Sequence, residues 1–264
     1  MTQSNAMTPY SAMAVVYDAL IEDVDYGAWA NNWQTLVKSH YQASGQVSFT
    51  GLTLLEVGAG TGNMTQELLK TGMRITAIDP SEAMLSVLQE KLFNQMGKTR
   101  LFHGTLDAFD TVETFHIAAG FLDVLNYVSP ADLEAFFSRL WELVKPGGLA
   151  TFDISTPYKL ENLLGQQTFA ENHEEFAFIW ENKFNRARHW LDFEFALFSE
   201  TEEGVFERHV EKHRQFAHTY RTIVEVAEKV GFQLKFVLDD SFTALALLKD
   251  AKSESTRWHF WFQR

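Results

Sequence analysis

The chain has 264 residues, 46% of them hydrophobic, which is enough for one large domain with a substantial core. Its formal net charge of −13 argues against broad electrostatic binding to nucleic acid or to an anionic membrane. The chain contains no cysteine, which excludes disulfides, a thiolate nucleophile and thiolate metal sites.

The first fifty residues predict two amphipathic helices with a break near residues 23–27. The apolar residues that recur at helical spacing are Met13, Val16, Tyr17 and Leu20, followed by Trp29, Trp33, Leu36 and Val37. Trp29 and Trp33 are four positions apart and share a helix face, where we expect them to be core rather than lid. Residues 1–50 are therefore expected to form a helical cap.

Residues 51–156 alternate short apolar segments with amphipathic ones. Strands are predicted at "LTLLEV", "RITAID", "RLFHG", "HIAAGF" and "LATFDIS". Helices are predicted over residues 62–70 and 81–94 and in "SPADLEAFFSRLWELV", with Ser129 as the N-cap of the last one and "KPGG" at its end. Such alternation implies a parallel sheet with helices on both faces.

From residue 157 to residue 218 the helical rhythm gives way to alternation of apolar and polar residues. The segments "FAFIWENKFN", "RHWLDFEFALFSE" and "VFERHVEKHRQF" predict strands, and "TEEG" predicts a hairpin turn between the last two. Residues 157–218 are therefore expected to form a small antiparallel β insertion. Residues 219–264 return to the main fold, with a helix closed by Gly231 and two last strands, "QLKFVLDD" and "RWHFWFQ".

The stretch "LLEVGAGTGN" places Gly58, Gly60 and Gly62 between a predicted strand and a predicted helix. This arrangement exposes backbone N–H groups at a helix N-terminus and lets a ligand approach the main chain. The second strand ends in Asp79, and an acid at that place can accept hydrogen bonds from both hydroxyls of a ribose. The two features together predict a nucleoside at the carboxyl edge of the sheet. The glycine spacing differs from the G-x-G-x-x-G of dinucleotide enzymes.

The order of these motifs resembles that of the class I S-adenosylmethionine-dependent methyltransferases. The segments "LLEVGAGTGNMT", "ITAIDPSEAML", "LFHGTLDAF" and "LWELVKPGGLATFDIS" are similar to successive motifs of that family over residues 50–155. The N-terminal helices, "FLDVLNYV" and the late insertion resemble bacterial small-molecule methyltransferases of the glycine and amino-sugar N-methyltransferase type. The resemblance implies a Rossmann-like, doubly wound α/β fold with a mostly parallel seven-stranded sheet. It also implies S-adenosylmethionine as cofactor, S-adenosylhomocysteine as product, and a small-molecule acceptor methylated on nitrogen or oxygen.

The resemblance further implies a set of cofactor-binding residues, which are Tyr17, Glu56, Gly58, Ala59, Gly60, Asp79, Pro80, Met84, Thr105, Leu106 and Phe121. In such an enzyme the glycine loop passes beside the methionine part of the cofactor, and Glu56 faces its amino end. Asp79 holds the ribose, while Pro80 and Met84 pack on the adenine. The position of the family's adenine-binding Asp holds Thr105 here, so the adenine contact stays open between Thr105, the Leu106 backbone and Asp107.

No catalytic residue is evident, because methyl transfer needs in-line alignment and a dedicated base is optional. The candidates are Tyr17, Asn126 and His213. Tyr17 could instead be a core tyrosine, and Asn126, with Tyr127 beside it, could instead cap the following helix. His213 shares a strand face with Glu211, where a proton shuttle is conceivable but a solvent-exposed face is the favoured interpretation. No ligand spacing suggests a metal site.

Other functions stay open on sequence grounds. They are a nucleotide-dependent dehydrogenase, an RNA or protein methyltransferase, and a non-catalytic protein that binds S-adenosylmethionine. The insertion is expected to cover the cofactor and form one wall of the acceptor site, or to provide the surface of a homodimer. We expect a cytoplasmic protein with no nucleic-acid partner and no membrane partner, since neither a signal sequence nor a membrane-spanning run is recognisable.

Overall fold

Two β-sheets organise the protein, whose computed structural model describes residues 9–43, 45, 48–202, 204–245 and 254–264. The described strands are β1 (Thr53–Val57), β2 (Arg74–Asp79), β3 (Thr99–His103), β4 (Phe115–Gly120), β5 (Val144–Ser155), β6 (Thr168–Asn172), β7 (Phe176–Asn185), β8 (Trp190–Glu202), β9 (Val205–Phe216), β10 (Gln233–Leu238) and β11 (Arg257–Gln263). Seven of them form one sheet and four form the other.

The larger sheet confirms the predicted doubly wound fold. Its order is β10-β11-β5-β4-β1-β2-β3, and the neighbouring pairs from β5 to β3 are all parallel. Only β11 runs against its neighbours β5 and β10. The strand order reverses between β1 and β4, and open α/β sheets bind their ligands beyond the carboxyl ends of the strands at such a point.

Helices cover both faces of this sheet. They are α1 (Tyr17–Leu20), α2 (Tyr26–Ala43), α3 (Asn63–Leu69), α4 (Glu82–Lys91), α5 (Leu133–Leu143) and α6 (Tyr220–Val230). Buried residues of α5 and α6 form one core, and those of α2, α3 and α4 form the other. No helix within the described ranges is long and apolar enough to cross a membrane.

The structure divides the predicted N-terminal cap into two parts. Trp33 and Val37 of α2 are buried against the larger sheet, as expected for core residues, and the Trp33 indole N–H donates to Thr151 Oγ1 at 2.9 Å. The first predicted helix is much shorter than expected, with a 3₁₀ turn over Met13–Val15 and then the single turn of α1. Residues 1–8, 44, 46 and 47 of the predicted cap lie outside the described residues.

The prediction that Ser129 caps the next helix is wrong. Helix α5 begins at Leu133, and Asp132 occupies its N-cap position. The Ser129 hydroxyl donates to Asp132 Oδ2 at 2.6 Å, and the Ser129 carbonyl accepts from the N–H groups of Asp132 and Leu133. These local bonds hold residues 129–132 in a turn, because short polar side chains compete with helix formation.

The insertion is an antiparallel sheet, as predicted, with the order β6-β7-β8-β9. Strands β7, β8 and β9 correspond to the three predicted segments, whereas the edge strand β6 was not predicted because it is exposed along its whole length and has no buried face. Residue 203, within the predicted hairpin turn, lies outside the described residues. One face of the sheet buries Phe178, Phe193 and Phe195 against Met13 and Val16.

Candidate functional site

A cavity of about 820 Å³ opens where β1, β2 and β4 end. This volume lies within the range of small-molecule pockets, roughly 300–1,000 Å³. All the residues expected to contact a cofactor line it, which are Tyr17, Glu56, Gly58, Ala59, Gly60, Asp79, Pro80, Met84, Thr105, Leu106 and Phe121. The structure thus brings the whole set together around one space, while their individual roles stay predictions.

The glycine loop needs its glycines for two different reasons. Gly58, Gly60 and Gly62 all have positive φ, at 68°, 56° and 81°. A Cβ on Gly58 would come within 2.7 Å of Val124 Cγ2, so packing excludes it. A Cβ on Gly60 would meet no atom within 4 Å, because this residue borders the open cavity. Glycine at position 60 therefore serves the backbone conformation and leaves room for a ligand.

Asp79 ties the glycine loop to the start of α4. Its Oδ2 accepts from the Gly60 N–H at 2.8 Å, and its Oδ1 accepts from the Ser81 N–H at 2.8 Å. Burial raises the pKa of Asp79, and these two bonds work in the opposite direction. A carboxylate oxygen can accept two hydrogen bonds, so each oxygen can take one more at the cavity wall, as two ribose hydroxyls require.

Glu56 is buried beneath the loop and also borders the cavity. Its Oε2 accepts from the Thr65 hydroxyl at 2.6 Å, and burial raises its pKa to about 7. A cation beside a buried carboxylate stabilises the charged form and lowers the pKa again, so such a carboxylate binds a cation favourably. The residue therefore fits the ammonium group of an amino acid such as the methionine part of the expected cofactor.

Three tyrosines line the side of the cavity that faces the insertion. Tyr10, Tyr17 and Tyr127 all border it, and the Tyr10 and Tyr127 hydroxyls are 2.6 Å apart. Sequence reasoning missed Tyr10, which precedes the helical pattern and belongs to no motif. Tyr10 also has a φ of 64°, which is rare for a residue with a side chain.

Residues 9–20, which we term the N-terminal strap, cross from the glycine loop to the insertion. At one end Asp18 accepts from the Thr61 hydroxyl at 2.7 Å and from the Asn63 amide at 2.9 Å. Nearer its start, the Tyr10 carbonyl accepts from the Ser81 hydroxyl at 3.0 Å. The strap is thereby fixed to both motifs that border the cavity.

At the insertion the strap is held by Glu211. One oxygen of this buried carboxylate accepts from the Tyr10 N–H at 2.7 Å, and the other accepts from the N–H groups of Ala12 and Met13. The favoured interpretation of this strand face as solvent-exposed is therefore wrong. The opposite face, with Arg208, Lys212 and Arg214, is the exposed one.

His213 is buried next to Glu211 and reaches the tyrosines. Its Nε2 lies 3.2 Å from Glu211 Oε2, and its Nδ1 lies 3.4 Å from the Tyr127 hydroxyl. Its ring stacks on Phe193 at 4.4 Å between centroids and meets the Tyr10 ring edge-on at 4.8 Å. Of the catalytic candidates, Tyr17 borders the cavity directly and His213 reaches it through Tyr127.

Asn126 has a different place from the one proposed. It is fully buried, and its Nδ2 donates to the carbonyls of Ser155 at 3.0 Å and Phe216 at 2.9 Å. Its Oδ1 accepts from the Ser155 N–H at 2.9 Å. The amide joins the end of β5 to the end of β9, and the neighbouring Tyr127, not Asn126, borders the cavity.

A buried ionic cluster supports the floor of the cavity. Leu122 and Asp123 have φ of 58° and 74°, and their N–H groups donate to Asp153 at 2.9 and 3.3 Å. Arg257 forms ion pairs with both Asp123 and Asp153. Sequence reasoning missed the cluster because Arg257 comes from the distant strand β11. Among the residues that the structure describes, no group of three or more His, Asp or Glu side chains is arranged to hold a metal ion.

Comparison with known proteins extends the similarity beyond the glycine loop. Residues 54–148 match the family described as "Methyltransferase domain". A protein of Geobacillus sp. (strain WCH70) named "Putative methyltransferase" is 29% identical, over 88% of this chain and 92% of that protein. A crystal structure of an S-adenosylmethionine-dependent methyltransferase from Clostridium acetobutylicum ATCC 824 is 25% identical, with a TM-score of 0.79 over 96% of this chain and 97% of that one. The sugar N-methyltransferase KedS8 from Streptoalloteichus sp ATCC 53650 shares the fold, with a TM-score of 0.71 at 14% identity, over 98% of this chain and 95% of that one.

Proposed function

We propose that this protein, an S-adenosylmethionine-dependent methyltransferase with the class I fold, uses the cavity at the β1–β4 switch point to methylate a small molecule on nitrogen or oxygen. The observation that carries the proposal is the composition of the cavity wall. Glu56, the glycine loop and Asp79 line one side, and tyrosines of the strap and of the β4–α5 connection line the other.

The first side suits the cofactor. Glu56 would meet the ammonium group of the methionine part, and Gly60 leaves the main chain open beside it. Asp79 would accept from the ribose hydroxyls while it keeps its bonds to Gly60 and Ser81. Pro80 and Met84 border the place where the adenine ring would then lie. The methyl carbon would point towards the tyrosines.

The second side suits the acceptor. A cavity of about 820 Å³ has to hold the cofactor and the acceptor together, which favours a small acceptor over a folded macromolecule. The net charge of −13 also disfavours RNA, and the fold neighbour KedS8 is described as a sugar N-methyltransferase. Closure of the strap would exclude water from the sulfonium, and the walls would align the attacking atom with the methyl carbon and sulfur. A homodimer stays a prediction.

Binding and turnover test the proposal separately. Calorimetry should show binding of S-adenosylmethionine and S-adenosylhomocysteine and none of NAD. Mass spectrometry with S-adenosylmethionine and a panel of amino sugars, small amines and phenols should then show a product heavier by one methyl group. Tight binding of NAD without a response to either sulfur nucleoside would refute the proposed cofactor. Binding without transfer to any small acceptor, together with methylation of RNA or protein substrates, would refute the proposed acceptor class.

A further inference from the structure

The chain Tyr10–Tyr127–His213–Glu211 leads from the cavity, which the two partly buried tyrosines border, to buried His213 and Glu211 in the insertion. We propose that this chain removes the proton of the acceptor during methyl transfer, with His213 as its final proton acceptor and Glu211 as the residue that orients the imidazole. The inference rests on the proposed function, because it assumes methyl transfer in the same cavity. It assigns a role to the insertion that goes beyond covering the cofactor.

The direction of the chain follows from Glu211. This carboxylate accepts N–H groups from the strap, and an ionised carboxylate can only accept. The His213 Nε2 facing it at 3.2 Å must then carry the hydrogen, which leaves Nδ1 as an acceptor. The Tyr127 hydroxyl at 3.4 Å donates to Nδ1, and the Tyr10 hydroxyl at 2.6 Å donates to the Tyr127 oxygen. The Tyr10 oxygen is therefore the end of the chain that can accept a proton at the cavity.

The surroundings keep each member in the required state. Burial raises the pKa of Tyr10 well above its usual range and also raises that of Tyr127, so both hydroxyls stay neutral. Each tyrosine then gives its own proton to the next group as it takes up another. Burial alone would raise the pKa of Glu211, but the bonds from His213 and from the strap N–H groups outweigh it and lower that pKa. The carboxylate thus stays charged beside the imidazole.

The ionisable groups around His213 come from three elements of the fold. Glu211 lies on its own strand, Tyr10 on the strap, and Tyr127 on the β4–α5 connection. Besides burial, Tyr17 and Asp123 raise the pKa of Tyr10, and Asp123 also raises the pKa of Tyr127. Glu211 is the one carboxylate among them that touches the imidazole, so an imidazolium formed there is paired at once.

The step balances without a further reactant. The acceptor atom forms a bond to the methyl carbon, the carbon–sulfur bond breaks, and its electron pair stays on sulfur as the sulfonium becomes a neutral thioether. The acceptor proton moves to the Tyr10 oxygen, the Tyr10 proton to Tyr127, and the Tyr127 proton to His213 Nδ1. The positive charge lost by sulfur ends on the imidazolium beside Glu211. The chain therefore fits a hydroxyl, which loses its proton as it attacks, or a neutral amine, whose methylated nitrogen then loses one.

The tautomer of His213 can be tested without any acceptor. Nuclear magnetic resonance of protein labelled with ¹⁵N-histidine, with the His213 signals assigned by their loss in His213→Asn, should show a hydrogen on Nε2 and none on Nδ1 near pH 7. The Nδ1 signal should shift in Tyr127→Phe and stay in place in Tyr41→Phe, since the Tyr41 hydroxyl donates to the His116 carbonyl instead. A hydrogen on Nδ1, or an unchanged signal in Tyr127→Phe, would overturn the chain.

Rates with the first acceptor found in the panel test its use. We expect Tyr10→Phe, Tyr127→Phe and His213→Asn each to slow single-turnover transfer by roughly 10²–10⁴-fold near pH 7. The loss should shrink at high pH, where hydroxide from solvent can take the acceptor proton in place of the chain. Affinity for S-adenosylhomocysteine should stay within about threefold, and Tyr41→Phe should match the unaltered protein.

Each other result has a definite meaning. Unchanged transfer in His213→Asn would overturn the proton path, as would a pH-independent loss or an equal loss of cofactor affinity, both of which indicate a packing role. Failure of the unaltered protein to bind either sulfur nucleoside would instead refute the proposed function, and the tautomer measurement would still report on the chain. An ether as the first product would assign O-methylation, and a methylated amine would assign N-methylation.

Discussion

The two sides of the cavity are built in different ways. The side proposed for the cofactor is made by residues close in sequence, in which Asp79 reaches back to Gly60 across two adjacent strands. The side proposed for the acceptor joins residues from distant parts of the chain, since Glu211 accepts from the Tyr10 N–H across 201 positions. One side is a local motif that presents backbone N–H groups. The other is an assembly of side chains that exists only when the strap, the β4–α5 connection and the insertion come together.

Substitution of Gly60 by valine should give the largest effect on the cofactor side. The φ of 56° strains any branched residue, and the new side chain would enter the cavity. We expect the affinity for S-adenosylhomocysteine to fall by at least about 100-fold, roughly 2.8 kcal/mol, in calorimetry. The matched control is Gly147→Val, at a φ of 78° with no atom within 4 Å of its Cβ and outside the cavity. Normal binding by Gly60→Val would show that no ligand passes there.

The next largest effect is expected for Asp79→Ala. Loss of two charge-assisted hydrogen bonds to the ribose should weaken cofactor binding by about 1.5–3 kcal/mol. The substitution also frees the N–H groups of Gly60 and Ser81, so thermal unfolding of the free protein should occur at a lower temperature. Exposed Asp110→Ala is the control, for which we expect neither change. Unaltered affinity in Asp79→Ala would mean that the ribose lies elsewhere.

A change of pH should give a smaller effect, through Glu56. Burial raises its pKa to about 7 in the free protein, and the ammonium group of the cofactor would lower it again. Binding should therefore release a proton from Glu56 below about pH 7, so affinity rises with pH up to about 7 and then levels off. Calorimetry in buffers of different ionisation enthalpy measures this release, which Glu56→Gln should abolish. Proton uptake on binding, or the same release in Glu56→Gln, would contradict the assignment.

The smallest effect is expected for Tyr17→Phe, which tests where the two sides meet. Only the hydroxyl is removed, and the ring still borders the cavity. If Tyr17 serves mainly the acceptor side, the affinity for S-adenosylhomocysteine should change by less than about threefold, roughly 0.7 kcal/mol. A loss of tenfold or more in the same titration would move Tyr17 to the cofactor side.

The difference between the two sides also explains what the sequence could predict. The strand, glycine turn and helix around Gly58–Gly62 carry their signal within a dozen residues, and the acid at the end of β2 adds to it. The alternation along β9 correctly predicts a strand, but alternation does not tell which face is covered. Glu211 and His213 are covered by the N-terminal strap, which lies about two hundred residues earlier in the chain. No residue near β9 indicates that the strap packs there.

Elsewhere the local sequence allowed more than one role for the same residues, so it could not decide between them. Ser129 and Asp132 are both good capping residues, and only the packing of Leu133 against the sheet shows where α5 begins. Asn126 follows a strand that borders a ligand cavity, so its position alone suggested contact with an acceptor. Its amide instead bonds the backbone of Ser155 and Phe216, two segments whose proximity depends on the whole fold.

The strap has a consequence for the order of events in a catalytic cycle. Tyr10 belongs to the strap and also supplies the outermost hydroxyl of the proposed proton path, while the strap N–H groups keep Glu211 ionised. A movement of the strap that widened the cavity would withdraw that hydroxyl and remove those N–H groups from the carboxylate. If the proposed path is used, a protein with its strap displaced would lack it. The strap would then work as an interlock, which couples proton removal to a sealed site.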